Sequence, residues 1–559
     1  MEPPRTPHGS EPTDAPGGAG EGAGRRDFLR RLSVGGAGLA LTGALPLVSA
    51  GHAHADTSTD ATADAGTGAA RDPAAGDAGN TSAIVIVGGT LIDGTGAPAR
   101  PNQAVVIVGD RIVWVGDGAG RAPIPSGARI VDARGKYVIP GLSDTHTHWT
   151  VLEKIVPPLF IANGVTSVRE MWGYPEVRDV RRRIDSGELL GPRMVMASTV
   201  LDGTVSLLGP PSVRVGTPEE ARAAVRQAKA DGCDFIKIYS YLSPECLYAI
   251  ADEARLQNLP FAGHHAYRLS VGEVSDAGMR SFEHLHGMPV PLSSDEEGFR
   301  RQIAATPMDP ADPRAFFRTM RELERQAAGM YDPAKASRVY ARWVRNGTWQ
   351  SPTLTVNRVM SSPADTYARD PRLKFIPPDL RQFWADAVRV YAPATPEEIA
   401  QQREFLDRRL AMVREMYVAG VGILAGTDVG NPYCFPGFGI HDELELLVEA
   451  GLTPMQALCT ATRDAARFLD LDLGTVAPGK AADLVLLEAN PLRDIRNTRR
   501  IDSVVTRGRL ITRAHRQQLL ADAEAAAQEP STSTSAAAGR TGARAAMPAC
   551  GCFPMPATV

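Results

Sequence analysis

The chain has 559 residues, 43% of them hydrophobic and 22% charged, with 60 basic against 64 acidic side chains for a formal charge of −4. That balance excludes a nucleic-acid footprint or a polybasic membrane surface, and the ordinary apolar fraction excludes a chain disordered throughout. Six cysteines, at 233, 246, 434, 459, 550 and 552, are too few for a disulfide scaffold, and no run of about 20 uninterrupted apolar residues appears, leaving a large soluble enzyme as the expectation.

The first 55 residues read as a targeting segment. Arg25 and Arg26 precede Asp27, Phe28 and Leu29, and a weakly apolar stretch from Leu32 to Ala50 follows, broken by Gly35, Gly36, Gly38, Gly43 and Pro46. Ala53 and Ala55 supply small residues for cleavage. This arrangement resembles a twin-arginine signal. It implies the twin-arginine export machinery as a partner and an extracellular or cell-envelope location. Residues 56–82, rich in Ala, Asp, Thr and Gly, read as a flexible linker. At the other end, 530–559 reads as a disordered tail whose Cys550 and Cys552 either bind metal or oxidise, or are incidental to a low-complexity segment.

Between these ends the chain has three parts. Short strands are predicted at Ile84–Val87, Ala104–Val108 and Arg111–Val115, separated by Gly-containing turns. Similar signals return at Ala482–Leu487 and Ser503–Thr506. Neither set has enough strands for a two-layer core, so 83–139 and 471–512 are expected to form one composite β-sandwich. Residues 140–470 alternate strand-like runs (Val165–Val168, Met194–Met196, Phe235–Ile238, Pro260–Gly263, Gly422–Ala425) with helical ones. Thr217, Thr395 and Thr453 each precede a Pro and stand three before a Glu or Gln, a capping-box start. About eight strands give an α/β fold with a (β/α)8 TIM barrel, carrying insertions near 287–348 and 357–420 that could form a lid.

In such a barrel, chemistry gathers at the C-terminal ends of the strands. His146 and His148 alternate on one strand face and form a natural chelate for Zn²⁺ or a similar ion. Asp428, after Gly426 and Thr427, could ligate metal and accept a proton from water. His264 and His284 close two consecutive strands, where each is either a ligand or a packed core histidine. Lys237 lies inside the apolar strand Asp234–Tyr239. It either pairs with Asp428 or another acid, or, as a neutral amine, adds CO2 to become an anionic carbamate able to bridge two cations. Arg169, Glu170, Trp172, Tyr239, Tyr241 and His286 follow strand ends, where substrate contact and plain packing are both open. His441 is expected near a helix start, and Cys233, Cys246 and Cys459 in the core.

These segments together resemble the binuclear amidohydrolase superfamily, nearest to imidazolonepropionases and Xaa-Pro dipeptidase-type enzymes. The resemblance runs through Ile139 to His148, Phe235-Ile236-Lys237, Gly263-His264, Phe282-Glu283-His284, Ala425 to Asp428, Thr453 to Leu458 and Gly474 to Leu484. It implies two divalent ions, Zn in the first instance. His146, His148 and Asp428 would hold the more buried ion, His264 and His284 the outer one, and carboxylated Lys237 would bridge. His265 competes with His264 for its place. The implied activity is metal-dependent hydrolysis of a C–N bond (amide, cyclic amide or dipeptide-like) through a metal-bridging hydroxide, with Asp428 as the catalytic proton acceptor. Tyr239, Tyr241 and Arg169 are candidate substrate contacts. Three residues beyond His264 and His265 stand Tyr267 and Arg268, where a deaminase of this superfamily would carry Glu. Lactone, ester or phosphotriester hydrolysis on the same site, or a catalytically silent binding protein, are the alternatives, and a homo-oligomer is left open.

Overall fold

The computed structural model describes residues 83–529. The twin-arginine segment, the linker and the tail with Cys550 and Cys552 lie outside the described residues. Among those described, no helix is long and apolar enough to cross a membrane.

Strands from both ends of this range share one eight-stranded sheet. Before the middle of the chain come β1 (Ala83–Leu91), β2 (Arg100–Val108), β3 (Arg111–Asp117), β4 (Arg129–Asp132) and β5 (Tyr137–Pro140). After it come β15 (Leu484–Leu487), β16 (Ile501–Thr506) and β17 (Arg509–Ile511). The order is β17-β16-β15-β5-β1-β2-β3, with β4 on β1. The late strands join through β5, whose Ile139 opposes Val485 in antiparallel register. The period-2 alternation of β15 explains how one strand serves two cores. Leu484 and Leu486 pack with Ile84, Ile86, Val105 and Ile107, while Val485 and Leu487 face the large central cluster.

Between those strands lie β6 (Leu142–Thr147), β7 (Val165–Glu170), β8 (Arg193–Met196), β9 (Leu201–Asp202), β10 (Val213–Arg214), β11 (Ile236–Ile238), β12 (Phe261–Gly263), β13 (Ser281–Glu283) and β14 (Trp349–Ser351). All their pairings are parallel, in one sheet ordered β6-β7-β8 and another ordered β10-β9-β11-β12-β13-β14. Single bonds extend these sheets. Ser198 N donates to Phe235 O at 2.8 Å, Leu424 N to Gln350 O at 2.9 Å, and Thr145 N to Ala425 O at 2.9 Å.

Helices separate the strands, and their starts follow the sequence. Thr217, Thr395 and Thr453 each close a reciprocal capping box, with Pro in the first turn of the helices Pro218–Ala230, Pro396–Val418 and Pro454–Thr460. Residues 287–348 carry the helices Glu296–Ala305, Pro313–Gly329 and Pro333–Asn346, and 357–420 carry Pro378–Tyr391 and Pro396–Val418. Phe316, Phe317, Met320 and Leu323 of the second helix form a satellite core with Tyr241 and Tyr267. A helix beyond the expected end of the fold, Arg513–Gln528, packs on Val156–Ala162, with Arg516 donating to Ala162 O and Ile501 O. Cys233, Cys246, Cys434 and Cys459 are buried and unbridged.

Candidate metal centre

Five strand ends of one polarity carry the expected ligands. His146 is the penultimate residue of β6 and His148 follows the strand; Lys237 sits in β11; His264 follows β12; His284 follows β13; Asp428 follows the extended run 423–425. None of the six is more than 3% exposed. Asp428 is the hub. Its Oδ1 stands 3.4 Å from His146 Nε2 and 3.4 Å from His148 Nε2, and its Oδ2 stands 3.4 Å from His284 Nδ1. Among the described residues, His146, His284 and Asp428 form a group whose ligand atoms all lie within 4.8 Å of one another. The imidazole of His264 is 4.7 Å, centroid to centroid, from His284, and stacks on Tyr239 at 4.0 Å.

The donor set fits a divalent cation. Ligand atoms about 2.0–2.2 Å from a four-coordinate ion stand roughly 3.3–3.6 Å apart, which is the spacing found around Asp428. His146 Nε2, Lys237 Nζ and both Asp428 carboxylate oxygens are buried with no hydrogen-bond partner among the described residues. Buried polar atoms are costly unless something satisfies them. Burial holds the imidazoles of His146, His264 and His284 well below the usual histidine range, leaving them neutral, the form that ligates metal. The Lys237 side chain bears electrostatically on all three rings.

The local backbone is built around this convergence. Trp149, His284, Thr353 and Asp428 all have φ between 44° and 67°, a region non-glycine residues enter at a cost and retain where surrounding structure enforces it. Asp428 N donates to His146 O at 2.8 Å, and Asp144 takes Thr427 N at 3.0 Å and Thr427 Oγ1 at 2.6 Å, so β6 and the Asp428 turn are laced together. Burial raises the Asp144 carboxyl to about 7. Gly426 has no room for a side chain: a Cβ there would lie 2.6 Å from Ser351 Oγ and 2.9 Å from His146 Cβ.

Other partners were not evident from spacing. His146 Nδ1 meets Glu283 Oε2 at 2.8 Å, His284 Nδ1 meets Thr353 Oγ1 at 2.8 Å, and His264 Nδ1 meets Ser240 Oγ at 3.2 Å. His148 Nδ1 faces Glu170 Oε1 at 3.8 Å, and burial raises the Glu170 carboxyl to about 8. For Glu283 a signal existed: an acid inside an apolar strand raises the same question that Lys237 does. His265 turns away, its Nε2 meeting Leu269 O at 2.8 Å.

The candidate substrate contacts are placed differently from one another. Tyr239 lies against His264. Tyr241 donates its hydroxyl to Pro313 O at 2.7 Å, within the satellite core. Arg169 is almost fully buried and spends its donors on Thr145 O, Ser281 Oγ and Glu283, so its polar groups are committed to the protein behind His146. His441 lies in the first turn of the helix Gly439–Glu449 and is bonded to Thr498 Oγ1 and Asn163 O. A cavity of about 790 Å³ lies at the opposite ends of the strands, lined by Arg169, Phe235, Phe261, Arg280 and Phe468 but by none of the six expected ligands.

The Amidohydrolase family model matches residues 137–511. An ochratoxinase of Aspergillus niger is 23% identical over 492 residues, spanning 74% of this chain and 82% of that one. An adenine deaminase of Rubrobacter xylanophilus is 31% identical over only 149 residues, 25% of this chain and 24% of the relative. Among solved structures, a bottromycin amidohydrolase superposes with a TM-score of 0.62 at 23% identity, covering 79% of this chain and 90% of that one; this likeness concerns the fold.

Proposed function

This chain belongs to the amidohydrolase family, as a hydrolase acting on C–N bonds, and we propose that it cleaves amide bonds of N-acyl amino acid, dipeptide-like or cyclic amide substrates with two divalent ions, zinc in the first instance. The observation that carries the reading is the convergence of His146, His148 and His284 on the two oxygens of Asp428. His146, His148 and Asp428 would hold the inner ion, and His264 and His284 the outer one. Asp428 reaches both sides, Oδ1 toward the first pair and Oδ2 toward His284. Lys237 would supply the bridge as a carbamate, formed when CO2 adds to its deprotonated amine with an N–C bond made and one proton released. When bound, the ions supply Lewis-acid polarisation of the scissile carbonyl and an acidified water.

The protein's own part is orientation and proton transfer. Asp428, fixed by its backbone bond to His146 and by Asp144 through Thr427, accepts the proton of the attacking water and returns it to the leaving nitrogen. The burial of every ligand excludes bulk water and strengthens each charge interaction. With this reading go a closed (β/α)8 barrel, supported by the single bonds that join β8 to β11, β14 to 423–425, and 423–425 to β6, and a sandwich built on the composite sheet. Twin-arginine export, resting on Arg25 and Arg26, belongs to the same proposal.

The test is turnover of the metal-loaded full chain on a panel of N-acyl amino acids, Xaa-Pro dipeptides, cyclic amides, lactones and phosphotriesters. Amide cleavage is expected, and Asp428→Asn should lower kcat by at least about 100-fold. Turnover confined to lactones or phosphotriesters, or an active Asp428→Asn variant, contradicts the assignment.

A further inference from the structure

Behind His146 lies a buried charged pair that the metal centre itself does not require. Glu283 and Arg169 are both essentially unexposed, and the Arg169 guanidinium reaches both carboxylate oxygens, at 2.9 Å to Oε1 and 2.8 Å to Oε2. Ser281 Oγ donates to Oε1 at 2.6 Å while accepting from Arg169 Nη1 at 2.9 Å. Arg169 Nε closes the arrangement on Thr145 O at 2.5 Å, the residue before His146 in β6. Phe235 and Phe468 flank the guanidinium, 5.7 and 5.2 Å from ring centre to Cζ. Replacing such a pair with apolar residues is often neutral or stabilising, so stability alone is a poor reason for it to be there.

We propose that Glu283, held by Arg169, is a positioning residue that fixes the tautomer and ring direction of His146, aiming its Nε2 lone pair at the cation site beside Asp428. An ionised carboxylate only accepts hydrogen bonds. The 2.8 Å contact to Oε2 therefore places the imidazole proton on Nδ1 and the lone pair on Nε2, the atom 3.4 Å from Asp428 Oδ1. Arg169 donates to both Glu283 oxygens and, through Nε, to Thr145 O, so the carboxylate is tied to the strand that carries the ligand. A glutamine at 283 has the same shape and the opposite effect. Ser281 and Arg169 would claim its carbonyl oxygen at the Oε1 position, which leaves the NH2 facing His146. That donor would demand a lone pair on Nδ1 and put the proton on Nε2, against the cation.

This inference rests on the metal-hydrolase reading, and the experiment separates the two. The full chain is made metal-free with a chelator, confirmed folded by circular dichroism, and titrated with Zn²⁺ against a competing chelator and with Co²⁺ by visible absorption. Glu283→Gln is expected to bind one of its ions about 10–100-fold more weakly than wild type and to show an altered Co²⁺ spectrum, readouts that a merely structural role would leave unmoved in a folded protein. Should Glu283→Gln fail to fold, the double variant Arg169→Met/Glu283→Leu, which removes the acceptor together with its counter-ion, takes its place with the same expectation. A folded variant of either kind with wild-type affinity and an unchanged Co²⁺ spectrum overturns the positioning role alone. A folded wild type that takes up neither ion overturns the metal-hydrolase reading, and this inference with it.

Discussion

Replacing Trp384 with alanine tests whether the insertion helix Pro378–Tyr391 is part of the architecture of the site. Its indole is fully enclosed, stacked on Trp149 at 5.9 Å and 17°, with Tyr433 and Phe435 at 5.5 and 5.6 Å. Trp149 directly follows His148, and Tyr433 lies just beyond Asp428, so one aromatic cluster braces both ligand segments. Burying about 150–250 Å² at about 25 cal/mol per Å² contributes roughly 4–6 kcal/mol. Because an unfolded chain already hides part of that area, roughly 3–5 kcal/mol is the better figure, which agrees with measured losses for Trp→Ala in cores. One opposing effect follows from the indole Nε1–H, which is buried with no hydrogen-bond partner among the described residues. Removing that group recovers about 1 kcal/mol or more. Trp384→Ala should therefore cost about 3 kcal/mol. Trp384→Phe, which keeps most of the ring and loses the N–H, should cost about 1 kcal/mol or less. Urea unfolding of metal-free protein measures both, with Val390→Ala on an exposed position of the same helix as a control expected within about 0.5 kcal/mol. A Trp384→Ala variant as stable as the control would refute the bracing role.

Three further outcomes follow from the same geometry. Lys237→Ala should lower bound metal from about two ions per chain to about one and abolish turnover, with acetate or propionate partly restoring both; full occupancy and activity without added acid would argue against a bridging carbamate. Gly426→Ala should cost about 1–3 kcal/mol and weaken metal binding, because its Cβ meets His146 and Ser351; isothermal titration showing wild-type affinity would contradict that packing. His441 is buried and bonded to Thr498 and Asn163, and burial pushes its imidazole down to about 3. A histidine depressed on folding contributes stability that is complete above its unfolded value near 6.5 and is lost as pH falls toward 3. Wild type should thus lose about 2 kcal/mol from this residue between pH 7.5 and pH 5. His441→Gln should show a stability profile flatter by that amount; an equal drop in urea-unfolding free energy between the two pH values for variant and wild type would count against it.

The sequence made some of this visible because the physics was local. A Thr-Pro-Glu-Glu run announces a helix start without any tertiary context, and Thr217 and Thr395 form the capping boxes such a run implies. Strand alternation put His146 and His148 on one face, and both approach Asp428. What stayed hidden depends on which strands become neighbours. Arg169, Glu283 and His146 are far apart in the chain and meet only because β6, β7 and β13 present their ends to one interior; from sequence, Arg169 looked as suited to a substrate as to a buried pair. Strands of three residues such as Trp349–Ser351 carry too little periodicity to be told from loops. The helix Arg513–Gln528 escaped notice because its apolar residues are mostly alanine; Ala523 and Ala527 pack into the central cluster, and Arg516 reaches backbone carbonyls beside them.

Anomalous diffraction from crystals of the zinc-loaded chain, recorded on both sides of the zinc absorption edge, addresses the metal assignment at atomic level. Two peaks are expected, one enclosed by His146, His148 and Asp428 and the other against His264 and His284, with carboxyl density extending from Lys237 Nζ between them. An ordered, catalytically competent crystal with no zinc peak among these side chains would contradict the account.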